Sequence, residues 1–263
     1  MANKLHSWFV PANVNSHAKL RLFCFPYAGG GASVYRDWHK FFPKEIEVCA
    51  VQLPGRESRG LEAPIHSLDQ LVLAITEEIQ PLLNMPFALF GHSMGALLAF
   101  ETARQLIRKN KRTPDHLFVS GRSAPHLIHR NTKLHLLPDN ELKNELRLLN
   151  GTPDAVLQNN ELMDLLMPRL RADFEVCETY SYAVDEPIHC PITAYGGMDD
   201  HGVSFESLAA WKEHTSNDVD LKMFEGDHFF LHSEQEHLTQ SLSSSIFQTA
   251  KSLQRSFITV PAR

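Results

Sequence analysis

Apolar residues along the chain fall into two alternating rhythms. Short segments at residues 20–25, 46–53, 87–90, 116–121, 191–197 and 219–224 read as strands, the apolar run at 87–90 as a buried one. Between them apolar positions recur at helical spacing. Val34, Tyr35, Trp38, Phe41 and Phe42 follow Ser33, a suitable N-cap, and Leu68, Leu71, Val72, Ile75, Ile79, Leu82 and Leu83 follow Ser67. Further helices are expected from just after Ser93 to Lys109, around Leu208, Ala209 and Trp211, and over about 229–253. Strand and helix in alternation predict an α/β fold, with a mostly parallel central sheet and helices on both faces.

Residues from about 130 to 185 interrupt this order. They carry helical patterns at 142–149 and 162–182, with Asp139 and Asn160 placed to cap them, and no strand. A helical insertion between two strands of such a sheet is expected to lie over the carboxyl edge as a lid. Its apolar set, including Leu166, Met167, Leu170 and Phe174, exceeds what packing one face requires, so part of it is expected to line an acyl channel. At the start of the chain Trp8, Phe9 and Val10 are expected to anchor a mixed segment onto the body, and the last ten residues read as a frayed tail. The whole chain, 1–263, is expected to form one domain with this insertion.

Composition narrows the classes. The 263 residues are 43% hydrophobic and 21% charged, ordinary values for a soluble globular protein. A net charge of −6 implies no strong phosphate-attracting field, so nucleic acid is not expected as a partner. No apolar run reaches the roughly 18 residues of a membrane span, and the amino terminus lacks a secretory pattern. A cytoplasmic location follows as an expectation. Cys24, Cys49, Cys177 and Cys190 are widely spaced and read as small core residues without a disulfide. Lys109, Lys111 and Arg112 cluster where the central helix ends, complementing its dipole.

The chemistry concentrates at strand ends. Gly91-His92-Ser93-Met94-Gly95 matches G-x-S-x-G and is flanked by strand and helix, the setting that presents a serine as a nucleophile. The loop Pro26 to Ser33, with Gly29, Gly30 and Gly31, follows an early strand and is placed to give a second oxyanion N–H, with Ala28 as the donor. Asp199 or Asp200 follows one later strand and His228 the last, giving the order Ser, Asp, His. Asp200 is preferred because the loop needs room after Gly196-Gly197, and His232 is the main rival of His228. Asp227 is expected to meet solvent or a cap. Arg56 and Arg59, in the loop after residue 53, either face an anionic substrate or partner or belong to a solvated loop. No metal site is implied, since His228 and His232 stand four apart without H-E-x-x-H or a matching third ligand.

The segments Phe25 to Ala32, Gln52-Leu53-Pro54-Gly55-Arg56-Glu57, Phe90 to Ala96, Gly196-Gly197 with Asp200, and Gly226-Asp227-His228-Phe229-Phe230-Leu231 together resemble the type II thioesterases. These are the stand-alone editing enzymes of nonribosomal peptide and polyketide synthases, with the medium-chain fatty acyl thioesterase as a relative. The resemblance spans about residues 20 to 240 and implies an α/β-hydrolase fold. It implies a Ser93–Asp200–His228 triad and oxyanion donors at the Ala28 and Met94 N–H groups. It also implies a mobile lid, no cofactor, and an acyl or peptidyl carrier partner whose phosphopantetheine bears the substrate, the enzyme itself being a monomer. On that reading the Arg56 and Arg59 loop would meet the phosphopantetheine phosphate or the acidic carrier. An oxygen-ester hydrolase and a non-catalytic acyl- or carrier-binding protein are the alternatives.

Overall fold

The computed structural model describes residues 8–12, 15–109, 112–127 and 133–258, with side chains to 249. Seven strands form its sheet: β1 (Phe9–Pro11), β2 (Leu20–Phe25), β3 (Ile46–Val51), β4 (Phe87–His92), β5 (His116–Ser120), β6 (Ile192–Gly197) and β7 (Val219–Phe224). Their spatial order is β1-β3-β2-β4-β5-β6-β7, and all neighbours are parallel except β1, which pairs antiparallel with β3. The expected mostly parallel α/β architecture is therefore present. Strand β1 was not legible in the sequence: three residues ending in Pro11 give no alternating pattern, although Trp8 and Phe9 are buried as anchors. Val10, the third expected anchor, points outward.

Alternation along the strands divides the core into two layers. Phe23, Phe25 and Leu89 face one side, packing on α1 (Leu68–Glu78) and α2 (Met94–Arg108). Leu22, Cys24 and Phe90 face the other, packing on Tyr35, Trp38 and the long final helix. Ser67 caps α1 as expected, accepting from the Gln70 N–H. That helix stops before Pro81, which cannot donate to an earlier carbonyl; a short 3-10 turn, Gln80–Leu82, takes over. The expected helix after Ser33 is instead two 3-10 turns, Ala32–Tyr35 and Trp38–Lys40. The buried aromatics Tyr35 and Trp38 stand three apart, a spacing that fits a 3-10 period as well as an α period. Ser33 lies inside the first turn and gives its hydroxyl to Glu57 at 2.5 Å rather than capping.

The insertion holds α3 (Asp139–Leu148), α4 (Asp154–Leu157) and α5 (Asn160–Glu178), with its own small core of Leu142, Leu146, Met163, Met167 and Leu170. The cap of α5 is Asn159, whose side chain accepts from Leu162 N, not Asn160; Asp139 begins α3 and pairs with Arg171. Then come α6 (Phe205–Ala209), α7 (Phe230–Ser233) and α8 (Gln235–Ile258). The expected final helix is thus broken near Glu234 and continues into the residues expected to fray; residues 259–263 lie outside those described. Of the basic cluster after α2, Lys111 also lies outside, while Arg112 donates to the Leu83 and Met85 carbonyls.

Candidate active site

The chain runs β2, then β3 on one side, then crosses back to β4 on the other side of β2. In open α/β sheets ligands gather at this reversal, beyond the carboxyl ends of the strands. Two glycine-bearing segments leave the sheet there: residues 26–33 after β2 and the Ser93 turn after β4.

Ser93 sits between β4 and α2 with φ 54° and ψ −113°, a left-handed conformation that non-glycine residues rarely adopt. Its N–H is anchored to the Ser120 carbonyl at 2.8 Å. The flanking glycines are required by closeness. A Cβ on Gly91 would lie 2.0 Å from the Gly95 carbonyl oxygen, and one on Gly95 would lie 2.1 Å from that of Phe25. The turn therefore holds the serine at the head of α2, whose first N–H groups have no intrahelical acceptor. Among the described residues neither the Met94 nor the Ala28 N–H meets a protein acceptor.

The rest of the glycine loop is tied down. Gly29 N donates to Asp173 Oδ2 at 2.7 Å, Ala32 N to Gln52 Oε1 at 2.9 Å, and Ser33 N to the Glu57 carboxylate at 3.2 Å.

His228 follows β7, and its Nδ1 lies 2.7 Å from Asp200 Oδ2. The other Asp200 oxygen accepts from Gly202 N at 2.9 Å. Asp200 is therefore the carboxylate that orients this ring, while Asp199 makes no bond to it. Asp227 does not cap α7, whose N-cap position is Phe229 without a side-chain bond; it closes a local turn, accepting from Phe229 N at 2.8 Å, and also receives the Asn150 amide at 2.7 Å. His92 is fully buried beneath, its ring centre 5.1 Å from that of His228 and its Nδ1 2.9 Å from Ser120 Oγ. Burial first, and then the nearby His228, hold its pKa well below the usual imidazole value, so it remains neutral and places no positive charge under His228. His232 instead meets the Tyr27 hydroxyl at 3.0 Å and faces a smaller cavity, with no carboxylate partner among the described residues.

Ser93, Asp200, His228 and Ala28 all border one cavity of about 650 Å³. The insertion supplies much of its apolar wall, through Leu134, Leu146, Leu149, Leu170 and Phe174, whereas Leu165 is exposed and Met163 lies in the insertion's own core. Polar residues line the same cavity, among them Arg122, Ser123, His126, Tyr180 and Tyr182.

A family model for the thioesterase domain matches residues 20–246. The chain belongs to the thioesterase family. Gramicidin S biosynthesis protein GrsT of Aneurinibacillus migulanus is 55% identical over 93% of this thioesterase and 95% of that protein. The medium-chain S-acyl fatty acid synthase thioesterase of Rattus norvegicus is 34% identical, with 82% and 83% covered. Among solved structures, the type II thioesterase BorB from the borrelidin biosynthetic cluster superposes with a TM-score of 0.84 at 35% identity, over 90% of this chain and 97% of that one. The resemblance to type II thioesterases and the α/β-hydrolase fold read from the sequence motifs are thereby borne out, and the protein is a thioester hydrolase.

One expectation about this thioesterase is overturned. Arg56 and Arg59 do not face a substrate or partner, nor do they form a solvated loop; they are 2% and 6% exposed. Arg56 forms a bidentate pair with Asp173, at 2.7 and 2.8 Å, and also donates to the Gly30 carbonyl at 2.8 Å. Arg59 donates to Gln52 O and Glu62 and lies 4.1 Å over the Trp8 ring. A guanidinium is buried only where its donors are met, and here they are. Sequence reasoning did not single out Asp173, which sits in an otherwise helical pattern. A lone acid there, at a position that helical spacing turns inward, was the available signal. Among the described residues no helix is long and apolar enough to cross a membrane, and no group of three or more His, Cys, Asp or Glu is placed to hold a metal ion.

Proposed function

We propose that this thioesterase releases acyl groups from phosphopantetheine thioesters on carrier proteins through an acyl-enzyme formed on Ser93. His228 takes the Ser93 proton as the oxygen attacks the thioester carbonyl, and Asp200 stabilises the resulting imidazolium. The Ala28 and Met94 N–H groups hold the oxyanion. The C–S bond then breaks, and the thiolate leaves with the proton from His228. Water, deprotonated by the same ring, attacks the acyl-serine ester and frees the acid and Ser93. No cofactor is needed, since every proton and electron pair is accounted for by these groups. The observation that carries this reading is the 2.7 Å pairing of His228 with Asp200 on the cavity that Ser93 enters.

The carrier as partner rests on the relatives that serve biosynthetic clusters. A cavity wall part apolar and part polar suits acyl groups with polar substituents, such as aminoacyl or polyketide chains, better than plain alkyl chains. The insertion acts as a lid over this cavity. The enzyme works in the cytoplasm as a monomer, alongside the synthase whose stalled carriers it clears. Mass spectrometry of acylated carriers is the test. Wild-type protein should return the free phosphopantetheine thiol on several carriers, while Ser93→Ala should slow release at least about 10⁴-fold. Release that persists in Ser93→Ala, or faster cleavage of matched oxygen esters than thioesters, would contradict the proposal.

A further inference from the structure

The carboxylate of Asp173 belongs to α5, the insertion helix, yet all of its bonds reach into the body. It is 1% exposed, accepts from Gly29 N at 2.7 Å, and is gripped by both terminal nitrogens of Arg56. Arg56 Nη1 also donates to Gly30 O, so one buried ion pair fixes the peptide before Gly29 and the peptide after Gly30, bracketing this pair of glycines. The same helix touches Gly29 a second way. Leu170, one turn before Asp173, packs so closely that a Cβ on Gly29 would lie 2.7 Å from Leu170 Cδ2. Gly29 has φ +81°, which sets the direction of the preceding peptide and hence of the Ala28 segment. Leu170 and Phe174, on that helix, line the acyl cavity.

We propose that Asp173 is a positioning residue for acyl transfer: by accepting the Gly29 N–H it holds the Ala28 N–H at the oxyanion position. The helix that touches the acyl chain therefore also sets the strength of the oxyanion hole. Displacing α5 would leave substrate able to enter but the Ala28 donor misaimed, and a donor contributes only when it points at the developing charge. This rests on Ser93 as the nucleophile.

Removing Asp173 alone would strand the buried Arg56 charge, so the decisive comparison uses neutral pairs. Arg56→Met/Asp173→Asn keeps an acceptor for Gly29, and Arg56→Met/Asp173→Leu does not. Both are compared by melting temperature, by kcat and KM on an acyl-pantetheine thioester, and by inhibition with an acyl trifluoromethyl ketone, which forms an oxyanion on serine. With Leu, kcat should fall at least 10-fold below that with Asn, and ketone affinity should fall by the same factor. KM should change less than about 3-fold. Equal kcat and ketone affinity in the two pairs would overturn the inference. In the wild type, NMR hydrogen exchange should find the Gly29 amide protected; exchange at the rate of an open loop would also overturn it, whether or not the variants fold. A wild-type protein that hydrolyses no thioester, or is not labelled at Ser93 by a fluorophosphonate, would instead refute the nucleophile assignment.

Discussion

Two neighbouring aspartates follow β6, and only one carries the imidazole. Asp200 pairs with His228 Nδ1, while Asp199 N–H merely meets the Gly226 carbonyl. Asp200→Asn should therefore reduce kcat by about 10⁴-fold, because the amide favours the wrong tautomer of the ring, whereas Asp199→Asn should stay within a few-fold of wild type. Steady-state kinetics on one acyl-pantetheine thioester checks both. The sequence could name Ser93 and His228 because each follows a strand at a recognisable turn. It preferred Asp200 but kept Asp199 as the alternative, since a one-residue choice depends on where the His228 ring stands, 28 residues further on. Arg56 was harder still: a polar loop residue reads as exposed, and the partner that buries it is 117 residues away.

The elements were legible where a pattern was long and failed where it was short or tertiary. Strands β2 and β7 match the expected spans, because each is a six-residue apolar-rich run bounded by breaks. The β1 strand exists only because β3 offers an edge for it. The cap of α5 slipped by one residue because Asn159 and Asn160 are both good caps. Asn159→Ala should lower stability by about 1 kcal/mol, seen as a drop of a few degrees in melting temperature, with kcat little changed. The strand-turn-helix element around Ser93 tolerates less. Gly95→Ala brings a methyl against the Phe25 backbone, which cannot yield as a flexible side chain would. It should cost several degrees of melting temperature and most of the activity together, measured by thermal unfolding and turnover on the same sample.

Across the molecule, burial governs the response to acid. His116 stacks on Phe118 at 4.1 Å and meets the hydroxyls of Thr193 and Thr249, both at 2.9 Å. Burial, with Lys222 adding to it, pushes its pKa down to about 4. His214, beside His126 and Tyr182, is lowered in the same direction, by burial first and then by His126. Unfolded, these rings take up protons near pH 6.5, so their contribution is fully present above that pH and is lost as pH falls towards 4. For His116 this amounts to about 3 kcal/mol. Melting temperature should accordingly decline steadily between pH 6.5 and 4, and His116→Gln should flatten that decline; an unchanged slope in the variant would exclude His116 as a source.

The helical insertion is stitched to the body at the glycine loop after β2 and at the turn that carries His228, through Asp173 to Gly29 and through Asn150 to Asp227. It is consequently not an interchangeable module. A chimaera that receives residues 133–185 from a relative would inherit a new substrate range only if the donor also brings a carboxylate and an amide at those two points. Where it lacks them, altered chain preference and slowed turnover would arrive as a single trait, and natural drift in one would drag the other with it.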